Sequence, residues 1–277
     1  IALSDTVPED TTKTENKWQI VFSRLAVKRS AVKIHMPGDT LAIGVGLTDA
    51  SATDGDINLG TGVYKVGTFD WRDGFVSYDN NFAMRQKGLD VNHIALKGVS
   101  LRVDSLCFEQ EATKLQLALN HCAFREQSGL SVTDAKGHVR LDTAHIALPD
   151  FRLTTPVSWL KASADMDFST FADTNPGVMR LKMDASVGKS DMLLALGMMP
   201  LQFVLRLPEQ PLALHADING NMKNLKIRDI SAKLPTAFNI KADGKAGNLT
   251  DIDRLTADIN LDARADNISF LQPALGL

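Results

Sequence analysis

The sequence predicts an all-β protein, an elongated antiparallel sheet carrying one short helix, and three observations lead to it. Apolar and polar residues alternate with a period of two through most of the chain. Short breakers rich in Gly, Asp and Pro separate these runs. No helical stretch of about a dozen residues recurs between them, as parallel strand–helix–strand units would require.

Taken in order, "PGD" at Pro37, "TDGD" at Asp54 and "RDG" at Arg72 are expected turns. "GVSLRVDSL" sets Val99, Leu101 and Val103 on one side of a strand, and "KLQLALN" does the same with Leu115, Leu117 and Leu119. Paired as a hairpin turning near Glu111 to Thr113, these put Cys107 opposite roughly Leu117 and Cys122 opposite roughly Arg102. That register is poor for a disulfide, so the two cysteines are expected to stay unpaired. In "SGLSVTDAKGHVRLDTAHIALPDFRL" the apolar side is Leu130, Val132, Val139, Leu141, Leu148 and Leu153, with His138, Arg140 and Asp142 on the wet side and a turn at "DAKG". "PLALHADIN" aligns Leu212, Leu214, Ala216 and Ile218, and "ADGKAGN" at Ala242 reads as a turn. In "RLTADINLDARAD", Leu255, Ala257, Ile259, Leu261 and Ala263 oppose Thr256, Asp258, Asn260, Asp262 and Arg264.

"GKSDMLLALGMMPLQFVLRLPEQ" departs from the pattern. Ser190 is a plausible N-cap for a helix near 190–199, ended by Pro200. The segment is apolar nearly all round and too short to span a bilayer. A buried plug packed on the sheet is the expected role, and a membrane-surface element the alternative. Residues 186–211 are also where a single elongated region over 1–277 could divide. "NGNMKNLKIRDISAKL" and "AGNLTDIDRLTADINL" share a Gly-Asn step before a strand. Stacked similar units, in a sheet that grows along one axis, are the expected reading, and the self-similarity of any meander is the alternative.

Composition narrows the partners. With 44% hydrophobic residues in 277 the chain can bury a sizeable surface. The net charge of −3, with acidic and basic residues scattered singly, offers no stripe for nucleic acid. No apolar run spans a bilayer, and "IALSDTVPEDTTKTENK" lacks the features of a signal peptide. The chain is expected to be a segment of a longer protein whose anchor lies elsewhere; a fresh apolar segment opens at "FLQPALGL".

Catalytic, metal and cofactor chemistry is not expected. "IGVGLTD" has Gly44 and Gly46 but leads into more turn and strand, without the helix, Lys and Ser/Thr of a phosphate loop. The six histidines never fall at metal-ligand spacing. There is no Gly-x-Ser-x-Gly elbow. The carboxylate pairs Asp70 with Asp73, Asp165 with Asp167 and Asp251 with Asp253 sit where solvated Asp is ordinary. Aromatic residues, at 6%, are sparse for a sugar-binding surface.

A sheet with one apolar face must hide it against a second sheet, in a closed barrel, or in a trough open to an apolar guest. Aliphatic inner positions suit the trough, and a smooth aliphatic wall suits acyl chains. The candidate lining is Leu101, Val103, Leu117, Leu119, Leu130, Val132, Val139, Leu141, Leu148, Leu153, Leu214, Ile218, Leu255, Ile259 and Leu261.

Over nearly its whole length the chain resembles the repetitive periplasmic region of TamB/AsmA-like proteins, in the form found in Bacteroidetes-type bacteria. The likeness lies in "LTDASATDGDINLGTGVYKVGTFDWRDG", "KGVSLRVDSL", "SGLSVTDAKGHVRLDTAHIALPDFRLTTPVSWLKASADMDF", "GKSDMLLALG" and "GKAGNLTDIDRLTADINLDA". The resemblance implies a non-enzymatic protein anchored in the inner membrane and crossing the periplasm as a taco-shaped β-sheet with a hydrophobic groove. It further implies carriage of phospholipid toward the outer membrane, or a role in outer-membrane protein assembly with a barrel partner engaged by regions outside this chain. A chaperone-like scaffold that templates incoming strands is the second expectation. A carbohydrate-binding sandwich or a hydrolase is the third.

Overall fold

The computed structural model describes residues 18–274, apart from Pro37, Asp39 and Asp173 and the side chains of Ile252 and Ala274. The "PGD" turn at Pro37, the N-terminal stretch up to residue 17 and the last three residues of "FLQPALGL" therefore lie outside the described residues. The chain folds as a 14-stranded antiparallel sheet. Its strands are β1 (Gln19–His35), β2 (Leu41–Asn58), β3 (Val63–Asn80), β4 (His93–Glu109), β5 (Lys114–Glu126), β6 (Ser131–Val132) and β7 (Asp134–Leu141). They continue as β8 (His145–Thr154), β9 (Trp159–Asp167), β10 (Met179–Val187), β11 (Leu212–Gly220), β12 (Leu225–Leu234), β13 (Phe238–Gly247) and β14 (Thr256–Ala265). Each strand pairs with its chain neighbours, except that β6 is a spur on β5, which passes its main pairing to β7.

The sheet is not closed into a barrel, and β1 and β14 are its edges. Twelve inter-strand steps make it about 58 Å long in the hydrogen-bonding direction. The accessible surface of 18239 Å² far exceeds the roughly 11,700 Å² of a globular protein of 30.1 kDa. A single-layer sheet leaves most of two faces in contact with solvent.

Four of the expected turns fall within strands. "TDGD" lies in β2, "RDG" in β3, and "ADGKAGN" begins in β13, while "DAKG" opens β7. The residues that suggest turns instead supply left-handed backbone at bulges: Asp54 has φ 53°, Asp73 φ 50° and Gly244 φ 143°. In β1–β4 the irregular positions align across the sheet. One line runs Ser23, Asp54, Gly67, Ser105, the positions skipped between regular pairs. A second runs Arg29, Thr48, Asp73, Gly98. Each line lets strands of 17 or 18 residues bend together.

The expected helix is two. α1 (Lys189–Leu196) is capped by Gly188, so Ser190 is its second residue and not its cap. Pro200 does not end the segment; it stands as the N-cap of α2 (Leu201–Arg206), just outside the helix, where its missing N–H costs no helical hydrogen bond. Phe203 and Leu207 pack with Leu234, Ala237 and Phe270 in the best-buried cluster, against Leu212 and Phe238 of the sheet. The insertion does not interrupt the sheet, because β10 and β11 pair directly from Met179↔Gly220 to Val187↔Leu212.

Asp191 fastens this cap. It accepts hydrogen bonds from the Thr155 and Ser158 hydroxyls, the latter at 2.6 Å, and Gly188 N–H donates to Ser158 Oγ at 2.9 Å. The connection between β3 and β4 reaches the same place. A Cβ on Gly88 would lie 3.1 Å from the Leu194 carbonyl oxygen and 3.2 Å from the Gly197 Cα, so the two backbones touch. In a flat sheet these connections would be about 29 Å apart, six strand spacings. The sheet curls about the face that the helices cover, and its end there is bridged.

Candidate functional site: the apolar face of the sheet

Register fixes which side chains share a face, because antiparallel partners project to the same side. Following it from β14 to β1 gathers one apolar surface. Ile259 and Leu261 stand across from Gly244 and Ala242, and Ile240 across from Ala232 and Ala263. Leu214 lies between Ala185 and Ala232, and Ile218 between Leu181 and Ile227. Met183, Ala162 and Phe151 form one row, and Leu160, Leu153 and Ala135 another. Leu148 faces Ala164, Leu141 sits between Leu115 and Ile146, and Leu117 faces Val139. Leu119 pairs with Val103, Val103 with Phe69 and Leu101 with Trp71.

Thirteen of the fifteen candidate lining residues therefore lie on strands, and twelve of these are placed on this face by the main ladder. Val132 joins through β6 opposite Phe124 and is buried. The remaining two are off the strands: Leu130 lies just before β6, its carbonyl accepting Glu126 N–H, and Leu255 just before β14. Sequence reading missed the β1–β3 contribution, which includes Ile20, Leu25, Ile34, Val45, Phe69 and Trp71. The signal was present. In β3 the apolar positions run 64, 66, then 69, 71, then 76, 78, and each change of phase falls at an irregular position. The bulges keep the apolar residues on one side.

Much of this face has no protein over it. At the β1 edge Ile20 and Leu25 are 51% and 52% exposed, and at the β14 edge Ile259 and Leu261 are 42% and 66% exposed. Between the edges most of its residues are half-buried. Glu126, at the end of β5 opposite Leu96, is the one charged residue that regular pairing brings to this face among the described residues. Cys122, opposite Leu101, also lies here, whereas Cys107, opposite Gln116, lies on the other face. The hairpin pairs Glu109 with Lys114, which shifts both by one from the expected register, and both are free thiols. Burial pushes the Cys122 thiol above its ordinary value, and the Asp134 charge acts in the same direction.

The opposite face is polar and is stitched by histidine–aspartate pairs. His121 Nδ1 is 2.7 Å from Asp134, His138 Nδ1 2.9 Å from Asp150, His145 Nε2 3.2 Å from Asp165 and His215 Nδ1 2.7 Å from Asp184. His93 sits between Asp90 at 2.9 Å and Asp79 at 3.4 Å. Of the carboxylates considered as pairs, Asp70 is held by Arg72 at 2.7 Å, and Asp165 lies 3.2 Å from His145 Nε2. Among the described residues no cluster of three or more His, Cys, Asp or Glu is arranged to hold a metal, and no helix is long and apolar enough to cross a membrane.

Asp90 organises the bridging connection between β3 and β4. It accepts N–H groups of Gln86 at 2.8 Å and Asn92 at 3.0 Å, and these bonds, that of Gln86 foremost, hold its carboxyl below the ordinary range. A depressed folded value means stability that is present above the unfolded value, near 3.9, and lost as the pH falls through the folded one. Amide exchange across residues 81–92 is therefore expected to rise below about pH 4 ahead of the strands. Asp90→Asn should bring that looseness to neutral pH, read by hydrogen–deuterium exchange; unchanged exchange would remove Asp90 from this role.

No protein-family model, curated protein or solved structure was found to match the chain.

Proposed function

We propose that this chain is a non-catalytic carrier segment whose apolar trough holds the acyl chains of phospholipid. One observation carries the reading: a single apolar face runs the length of the sheet, held in phase by aligned bulges and left uncovered along both edges. An aliphatic wall of this kind has no directional preference, which matches a chain ligand better than a shaped polar one. The resemblance to TamB/AsmA-like proteins supports placing the segment in the periplasm, within an inner-membrane-anchored bridge that moves phospholipid toward the outer membrane. The test is denaturing extraction and mass spectrometry of the purified protein against a matched soluble control. Stoichiometric phospholipid is the expected result.

The free edges favour a second reading. Among the described residues β1 and β14 each pair on one side only and present 17 and 10 residues of backbone to an incoming strand, as a scaffold for outer-membrane protein assembly would. Protein free of lipid that captures an unfolded barrel-strand peptide would select this reading.

A further inference from the structure

Among the described residues five of the six histidines have an aspartate partner, and His35 has none. Among the described residues neither His35 nor Lys33 makes an ion pair, and both line a half-open cavity of about 310 Å³ on the polar face. The cavity sits at the bridged end of β1–β4. Register builds it in two rows: Lys33, Gly44, Ser77 and Ala95 lie across from one another in turn, and beside them His35, Ala42, Asp79 and His93. Small residues in the middle of each row leave the hollow. A Cβ on Gly44 would come within 2.5 Å of Ser77 Oγ, so a larger side chain there would crowd the floor of the hollow. This gives the first glycine of "IGVG" a role; the second, Gly46, lies under the Phe75 ring.

Among the described residues Lys33 is left without a carboxylate partner at this hollow. Arg85 reaches Asp79 at 2.8 Å, and His93 lies between Asp79 and Asp90, so Asp79, the one carboxylate lining the cavity among the described residues, is already engaged. Lys33 and His35 remain, with the Ser77 hydroxyl and the Gln127 amide as hydrogen-bonding neighbours. A volume of about 310 Å³ lies at the lower end for small-ligand sites. We propose that this cavity binds a phosphate group, borne by free phosphate or by a lipid headgroup. The inference is independent of acyl-chain carriage, because it concerns the opposite face.

Titration of the full chain with inorganic phosphate in chloride buffer, followed by calorimetry and phosphorus NMR, tests it. Saturable one-site binding is expected, at least 10-fold weaker in Lys33→Glu and lost in Gly44→Val. Lys33 lies on an exposed edge strand, so its variant should melt with the wild type and keep the test valid if Gly44→Val misfolds. Leu141→Arg should bind phosphate normally, which separates this site from the trough. Dihexanoylphosphatidylglycerol below its micelle concentration identifies the source: Lys33-dependent binding at least 10-fold tighter than phosphate indicates a headgroup, and equal or weaker binding indicates the free anion. Absence of saturable phosphate binding, or equal binding by Lys33→Glu, would overturn the proposal.

Discussion

Leu141→Arg is expected to weaken acyl-chain binding roughly 100-fold, because a charge within an apolar wall costs about 2.5–3.5 kcal/mol. Leu141 stands between Leu115 and Ile146 on the apolar face, well away from both sheet edges. Its side chain is half-buried, so the variant should lose about 1–3 kcal/mol of stability and still fold. Ile259→Arg is the companion. At 42% exposure on β14, the new guanidinium can reach water along its own stem, and the melting temperature should hardly move. Displacement of a fluorescent phospholipid analogue, with thermal unfolding alongside, reads both effects. Unfolding of both variants would show that these positions are sealed core.

Phe203→Ala should cost about 3–5 kcal/mol, a large share of the 5–15 kcal/mol that holds a typical domain. Phe203 is 4% exposed and its ring lies 5.8 Å from that of Phe270, in the cluster that joins α2 to Leu234 of the sheet. The loss should be concentrated at the cap. α1 and α2 are short, and helices of this length need tertiary packing to persist. Hydrogen exchange should therefore accelerate across residues 189–206 before β2–β5, whose own cluster of Ala50, Trp71 and Val99 is separate. A loss below about 1 kcal/mol would mean that the helices are not held by this contact.

How much of this was legible in the sequence depends on how strictly each strand alternates. β11 and β14 keep one phase throughout, and Leu214, Ile218, Ile259 and Leu261 could be assigned to a face directly. The long N-terminal strands change phase at bulges, and Asp54 and Asp73 look like hairpin turns because turns and bulges use the same left-handed backbone. Apolar residues that switch from even to odd positions across such a breaker distinguish the two cases. Pro200 misled in a similar way, since a residue that ends one helix also starts the next. The bridge between Gly88 and α1 joins parts of the chain about a hundred residues apart, and no local pattern encodes it. The phosphate-sized hollow was equally hidden, since Lys33, Gly44 and Ser77 meet only through pairing.

The two native cysteines allow the acyl-chain reading to be tested without mutation. Cys122 lies on the apolar face and Cys107 on the polar one. Maleimide labelling followed by peptide mass spectrometry, with and without short-chain phosphatidylglycerol, measures each thiol separately. Lipid is expected to slow labelling of Cys122 at least 10-fold and leave Cys107 unchanged. Equal labelling of Cys122 with and without lipid would contradict acyl chains in the trough.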